Sequence, residues 1–189
     1  KREVTTTQYD EPLPGIPNLY FNGNASNYRN RVASVTYQEL EGSPVENSTY
    51  YLYDIHGNVK ELVQNVFDLG AKKIRYDYDL ISGNVKKVYY QWGEVDQFLH
   101  WYEYDADNRI TDVRTSFDGF VWDHDAEYFY YKHGPLARTE LGEHKVQGVD
   151  FAYTIQGWIK GVNSGILNEK VDIGQDGVTG HPHGSIPGD

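Results

Sequence analysis

Apolar and polar positions alternate along most of this chain, and the alternation returns at a nearly fixed interval. The pattern is clearest at tyrosine pairs. Tyr51 and Tyr53, Tyr76 and Tyr78, and Tyr102 and Tyr104 are each separated by one residue, which puts both rings on one face of an extended strand. Two weaker copies follow, Tyr128-Phe129-Tyr130 and Phe151-Ala152-Tyr153. The second aromatic falls at 53, 78, 104, 130 and 153, in steps of 25, 26, 26 and 23 residues. Such a period predicts an array of small units that bury surface only against their neighbours.

Each unit carries its own turn. Asp54, Asp79 and Asp105 directly follow the second tyrosine, where a short carboxylate can accept hydrogen bonds from turn amides. Four residues past the second aromatic stand Gly57, Asn108, Gly134 and Gly157, and Gly83 comes one later. These residue types accept positive φ in a tight hairpin. A β-branched residue and a cation then begin the return strand, as in Val59-Lys60 or Arg109-Ile110. The expectation is one hairpin per repeat. A competing pattern exists locally, because Val59, Leu62, Val63, Val66 and Phe67 fall at helical spacing. The other copies break it with Val88-Tyr89-Tyr90 and Val113-Arg114-Thr115, so agreement between copies predicts a strand.

The chain divides into three parts. Residues 1–49 hold most of the proline and asparagine, with short strands such as Arg31 to Tyr37 and a degenerate repeat over Tyr28 to Val35. Residues 50–163 form the repeat array. Residues 164–189 are Gly-rich and aromatic-poor, and read as a loop or linker.

Composition narrows the function. At 189 residues the chain suits one sizeable domain or part of a larger protein. It opens at Lys1 without a leader or any Met, which reads as a piece of something longer. Seventeen Tyr against seven Phe suit half-buried pleated surfaces, where an apolar ring needs a polar tip. The absence of Cys excludes disulfides, thiolate zinc sites and cysteine nucleophiles. A net charge of -11 argues against nucleic acid as a partner. No apolar run reaches the ~20 residues of a membrane-spanning helix.

Candidate chemistry is sparse. Trp92, Trp101, Trp122 and Trp158 are candidate glycan contacts, since exposed indoles stack on pyranose rings. Cross-strand aromatic packing is the favoured account, because a wall needs the same residue in every repeat and a binding site does not. Asp172 to Gly177 matches the first, fifth and sixth positions of a calcium loop but lacks the third, with His183 where the bidentate Glu belongs. Asp123 to Glu127 lacks the turn glycine, and His181 with His183 lack a third ligand for zinc. No nucleophile elbow, phosphate loop or zinc-binding helix appears. Neither catalysis, nor a metal, nor a cofactor is expected.

The Tyr-x-Tyr-Asp-x-x-Gly-Asn-Val phrase resembles the YD repeat of the RHS family, which includes teneurins and the C components of bacterial toxin complexes. The resemblance covers residues 50–163. The stretch Tyr153-Thr154-Ile155-Gln156-Gly157-Trp158-Ile159 is similar to the segment before the core of Bacteroidetes-type RHS proteins. The resemblance implies an all-β fold of tandem hairpins in a twisted antiparallel sheet, forming a segment of an RHS-type shell. It further implies a secreted or cell-surface parent whose shell encloses a C-terminal effector or toxin. The implied partners are the rest of that shell and its effector. A surface adhesin or carbohydrate-binding module is the alternative. Another is an assembly or secretion partner, joined to other chains by strand addition at open sheet edges.

Overall fold

In a computed structural model, residues 3–24, 26–39 and 46–163 are described; the two candidate ligand groups beyond residue 163 lie outside them. The described chain is all-β. Its strands are β1 (Val4–Tyr9), β2 (Val32–Gln38), β3 (Asn47–Tyr53), β4 (Val59–Val66), β5 (Gly70–Tyr78) and β6 (Val85–Tyr90), then β7 (Phe98–Tyr104), β8 (Ile110–Ser116), β9 (Asp123–Tyr130), β10 (Leu136–Leu141), β11 (Gln147–Tyr153) and β12 (Ile159–Val162). A single turn of helix, α1 (Ile16–Tyr20), sits between β1 and β2. All twelve strands belong to one sheet whose spatial order is the chain order. Two compact units are formed, one ending at Leu99 and the other beginning at His100.

The strand pairings explain why the Val59 to Phe67 segment is extended. In β4, Leu62 lies opposite Tyr51 and Ile74, while Val63 lies opposite Tyr50 and Lys73. Consecutive residues of a strand point to opposite faces, and here both faces have apolar neighbours. Adjacent apolar positions therefore satisfy a two-sided strand while imitating a helical stripe.

The first unit has an apolar core. Phe21, Tyr28, Ala33, Tyr50, Leu52 and Val63 form a buried cluster, with Leu13, Ile16, Tyr20 and Tyr53 packed against it. Half of these residues come from the connection between β1 and β2, which thus covers the sheet face bearing Tyr50, Leu52 and Val63. The second unit is built differently. Ala126, Tyr131 and Ala137 are buried there, and so are Arg138, Glu140 and Asp150. The Arg138 guanidinium donates to Glu140 at 3.0 Å and to both oxygens of Asp150 at 2.8 and 2.9 Å. Lys145 pairs with both Glu127 and Glu140 at 2.8 Å. Glycine at 148 is required by this packing, since a Cβ there would collide with the Arg138 guanidinium.

A sixth copy of the repeat lies where the period does not show it. Four hairpins place the second aromatic beside a register shift, opposite the first residue of the return strand: Tyr53 faces Val59, Tyr78 faces Val85, Tyr130 faces Leu136 and Tyr153 faces Ile159. Tyr9 faces Val32 beside the same kind of shift. The backbone bond that closes each turn is also present. Asp54 donates to Asn58, Asp79 to Asn84 and Asp105 to Arg109 at 2.8–2.9 Å, and Asp10 donates to Arg31 at 3.0 Å. Tyr9-Asp10 and Asn30-Arg31-Val32 are thus the two halves of one copy, with residues 11–29 inserted in its turn.

Candidate functional site

Each hairpin turns at a residue of positive φ. Gly57, Gly83, Asn108, Gly134 and Gly157 have φ of 97°, 75°, 62°, 119° and 84°. The Asp54 carboxylate accepts from the amides of His56, Gly57 and Asn58 at 2.7–2.9 Å. Asp79 accepts from Ile81 and Ser82, and Asp105 from Asp107 and Arg109. Partial burial by itself would raise the Asp54 carboxyl, but the Asn58, Gly57 and His56 donors outweigh it and hold it below the usual carboxylate range. Asp79 is held down chiefly by the Ser82 amide, and Asp105 by the amide of Arg109. The last two copies have no Asp here. Thr154 accepts from the Trp158 amide at 3.2 Å, and Tyr131 takes a separate role.

Three of the second tyrosines tie their hairpin to the one before it. Tyr53 donates its hydroxyl to the carbonyl of Val32, Tyr78 to Val59 and Tyr130 to Ile110, each at 2.8 Å. The acceptor is in each case the first residue of the preceding return strand, or its equivalent. A cation lies over two of these rings, Arg31 at 5.5 Å from Tyr53 and Arg109 at 4.5 Å from Tyr130. Tyr51 stacks on Tyr53 with centroids 6.4 Å apart, and Tyr76 lies at the same distance from Tyr78. Tyr102 stacks on His100 at 6.1 Å, and Tyr104 ends β7 half-buried.

Two further tyrosines clamp in the other direction. Tyr28 and Tyr131 donate to the carbonyls of Tyr51 and Phe151 at 2.7 and 2.9 Å. Each also packs edge-on against the next second aromatic, Tyr53 at 5.9 Å and Tyr153 at 6.3 Å. Burial, reinforced by Tyr53, pushes the Tyr28 hydroxyl up to about 12. Tyr9, Asp10 and Tyr131 are not among the residues the repeat pattern singles out, and Tyr28 and Arg31 fall in its degenerate copy without these roles. The Tyr-Asp dipeptide at 9–10 was the available signal, hidden because its glycine-type partner lies twenty residues away.

Three tryptophans belong to the second unit and one to the first. Trp101 and Trp122 meet edge-on at 5.5 Å, with Arg114 over the Trp101 ring at 5.5 Å. Trp158 stands on the last turn, 75% exposed. In the first unit Trp92 is half exposed and meets Tyr89 edge-on at 5.4 Å, and the Arg75 guanidinium lies 4.2 Å over Tyr89. These residues line an open groove with Glu61, Lys73, Gln91 and Glu94. The acidic run from Asp123 to Glu127 lies in β9, so its side chains alternate between faces and cannot converge as a loop would. His124 pairs with Asp112 at 2.8 Å, and Glu127 with Lys145. Among the described residues no group of three or more metal-ligating side chains comes together, and no helix is long and apolar enough to cross a membrane.

No family model matches this sequence, and no curated protein matches it. A solved structure does. A chain from the crystal structure of TcdB2-TccC3-Cdc42 has a similar fold over 85% of this chain, with a TM-score of 0.53 and 12% sequence identity. The likeness spans 9% of that chain, so there the fold is a small piece of a much longer polypeptide. At this identity it is the fold that is shared.

Proposed function

We propose that this chain is a structural wall segment of a larger RHS-type repeat protein, secreted or at the cell surface, which encloses a C-terminal effector. The observation that carries the reading is the tyrosine ladder. Hydroxyls from Tyr53, Tyr78 and Tyr130 fasten successive hairpins at one recurring backbone position, a device that fixes register along a sheet and does no chemistry. The shared fold within a long chain of a multi-protein structure supports the same view. No catalytic step and no cofactor is assigned to these residues. Imaging the intact parent protein by electron microscopy tests the reading. A hollow particle with internal density is the expected result, and an open sheet without a cavity overturns it.

A second reading is a carbohydrate-binding module, favoured by the groove in which half-exposed Trp92 adjoins Tyr89, Glu61 and Lys73. Glycan-array signal that is lost on Trp92→Ala, with folding intact, would establish it over the wall.

A further inference from the structure

The connection between β8 and β9 reads Phe117-Asp118-Gly119-Phe120-Val121-Trp122. Phe117, Phe120 and Val121 are 70%, 90% and 67% exposed. Single apolar residues on a surface are ordinary, but three within five positions at one hairpin end form a patch that calls for a contact. Three observations say which contact fits.

First, the patch is presented by a fixed backbone. Gly119 turns the chain at φ 80°. The Asp118 carboxylate accepts from the amides of Phe120 and Val121 at 2.8 and 2.9 Å. Ser116, buried at the base, accepts from the Gly119 amide at 2.9 Å and donates to the Val121 carbonyl. A turn held in this way loses little freedom when it meets a partner.

Second, the same bonds leave the turn little need of outside partners. The amides of Gly119, Phe120 and Val121 and the carbonyl of Val121 are satisfied within it. The Trp122 indole N–H donates to the Gly119 carbonyl at 3.3 Å. Protein interfaces trade hydrogen bonds across the contact, whereas a lipid phase accepts backbone groups that are already paired. Trp122, half-buried at the root of the turn, suits the boundary between apolar and aqueous layers.

Third, charge selects the kind of surface. No Lys or Arg stands between Arg114 and Lys132, while Asp118, Asp123, Asp125 and Glu127 do, in a chain of net charge -11. Anionic headgroups repel such a segment. Phosphocholine carries no net charge, and its quaternary ammonium can lie against an aromatic face.

We propose that the turn from Phe117 to Trp122 is a membrane-contact tip, which seats Phe117, Phe120 and Val121 in the interface of a zwitterionic bilayer. Asp118 stays at headgroup level, because a carboxylate is costly any deeper. The contact is peripheral, and its strength follows the apolar area it buries.

The experiment floats the full chain with phosphatidylcholine vesicles. The chain should rise with them. Phe120→Ser should weaken binding about tenfold, the lower end of what withdrawing one Phe from water is worth. Adding Val121→Ser should abolish it, with circular dichroism showing both variants folded. Ile155→Ser is the control, since Ile155 is 98% exposed on the β11–β12 turn, at the other end of the strands. It should bind as wild type does. No flotation, binding confined to vesicles containing phosphatidylglycerol, or an equal loss in Ile155→Ser would overturn the proposal. So would self-association through Phe120 without vesicle binding, which would assign the tip to a protein contact. Imaging of the parent particle decides the wall reading separately, because a hairpin tip can meet a bilayer whatever the sheet encloses.

Discussion

At the scale of single residues, backbone conformation and one hydroxyl decide most of the outcome. Gly57 lies at φ 97°, and a Cβ at that position would also collide with the Arg31 guanidinium. Gly57→Val therefore meets strain and steric conflict together, and a cost of at least about 2 kcal/mol is expected. A calorimetric Tm unchanged from wild type would refute the turn's role. Tyr78→Phe is a gentler probe, because it keeps the ring and removes only the bond to Val59. The expected loss is about 1 kcal/mol, read from a shifted denaturation midpoint at unchanged slope. The same Tyr-x-Tyr-Asp residues made the hairpins legible from sequence, since each fixes a local geometry that needs no distant partner. What could not be read was which way each hydroxyl reaches, because that depends on the neighbouring hairpin.

At the scale of elements, the first hairpin shows how an insertion can hide a repeat and strengthen it. Tyr9 facing Val32 and Asp10 bonded to Arg31 keep the register and closing bond of a short turn, while residues between them supply Phe21 and Tyr28 to the core. Sequence periodicity measures distance along the chain, so it lost this copy and placed a degenerate repeat at Tyr28 to Val35. Spatial register recovered it. The helical spacing in β4 misleads for a related reason, because neighbouring apolar residues serve two different faces. If the insertion acts as a lid on β2 to β4, Phe21→Ala should cost about 3–5 kcal/mol despite lying outside every strand. Chemical denaturation of the variant measures this, and a near-neutral result would mean that the sheet face is stable without its cover.

For the molecule as a whole, acid is the informative perturbation. Asp54, Asp79 and Asp105 are all held below the usual carboxylate range, as is Glu140 against the pull of its burial, through Lys145 and Arg138. A depressed folded-state pKa stabilises the fold above the unfolded value and loses that contribution as pH falls through the folded one. Thermal stability should therefore be level near neutrality and fall below about pH 5, where unfolded carboxylates begin to take up protons. Replacing Asp54, Asp79 and Asp105 together by Ala should lower the neutral-pH plateau and flatten the acid limb. An unaltered acid limb in that variant would assign the pH dependence to the remaining depressed carboxylates, Glu140, Asp96 and Asp118.

The twenty-residue turn between Asp10 and Arg31 has a wider consequence. Lengthening a loop costs only about 0.6 kcal/mol for each doubling, while the closing bond depends on the two residues that flank it. Each hairpin tip can thus vary its contents while the strands beneath keep their order. The array behaves as a rack with interchangeable slots, and new surface chemistry can be introduced at any tip without redesigning the frame that holds it.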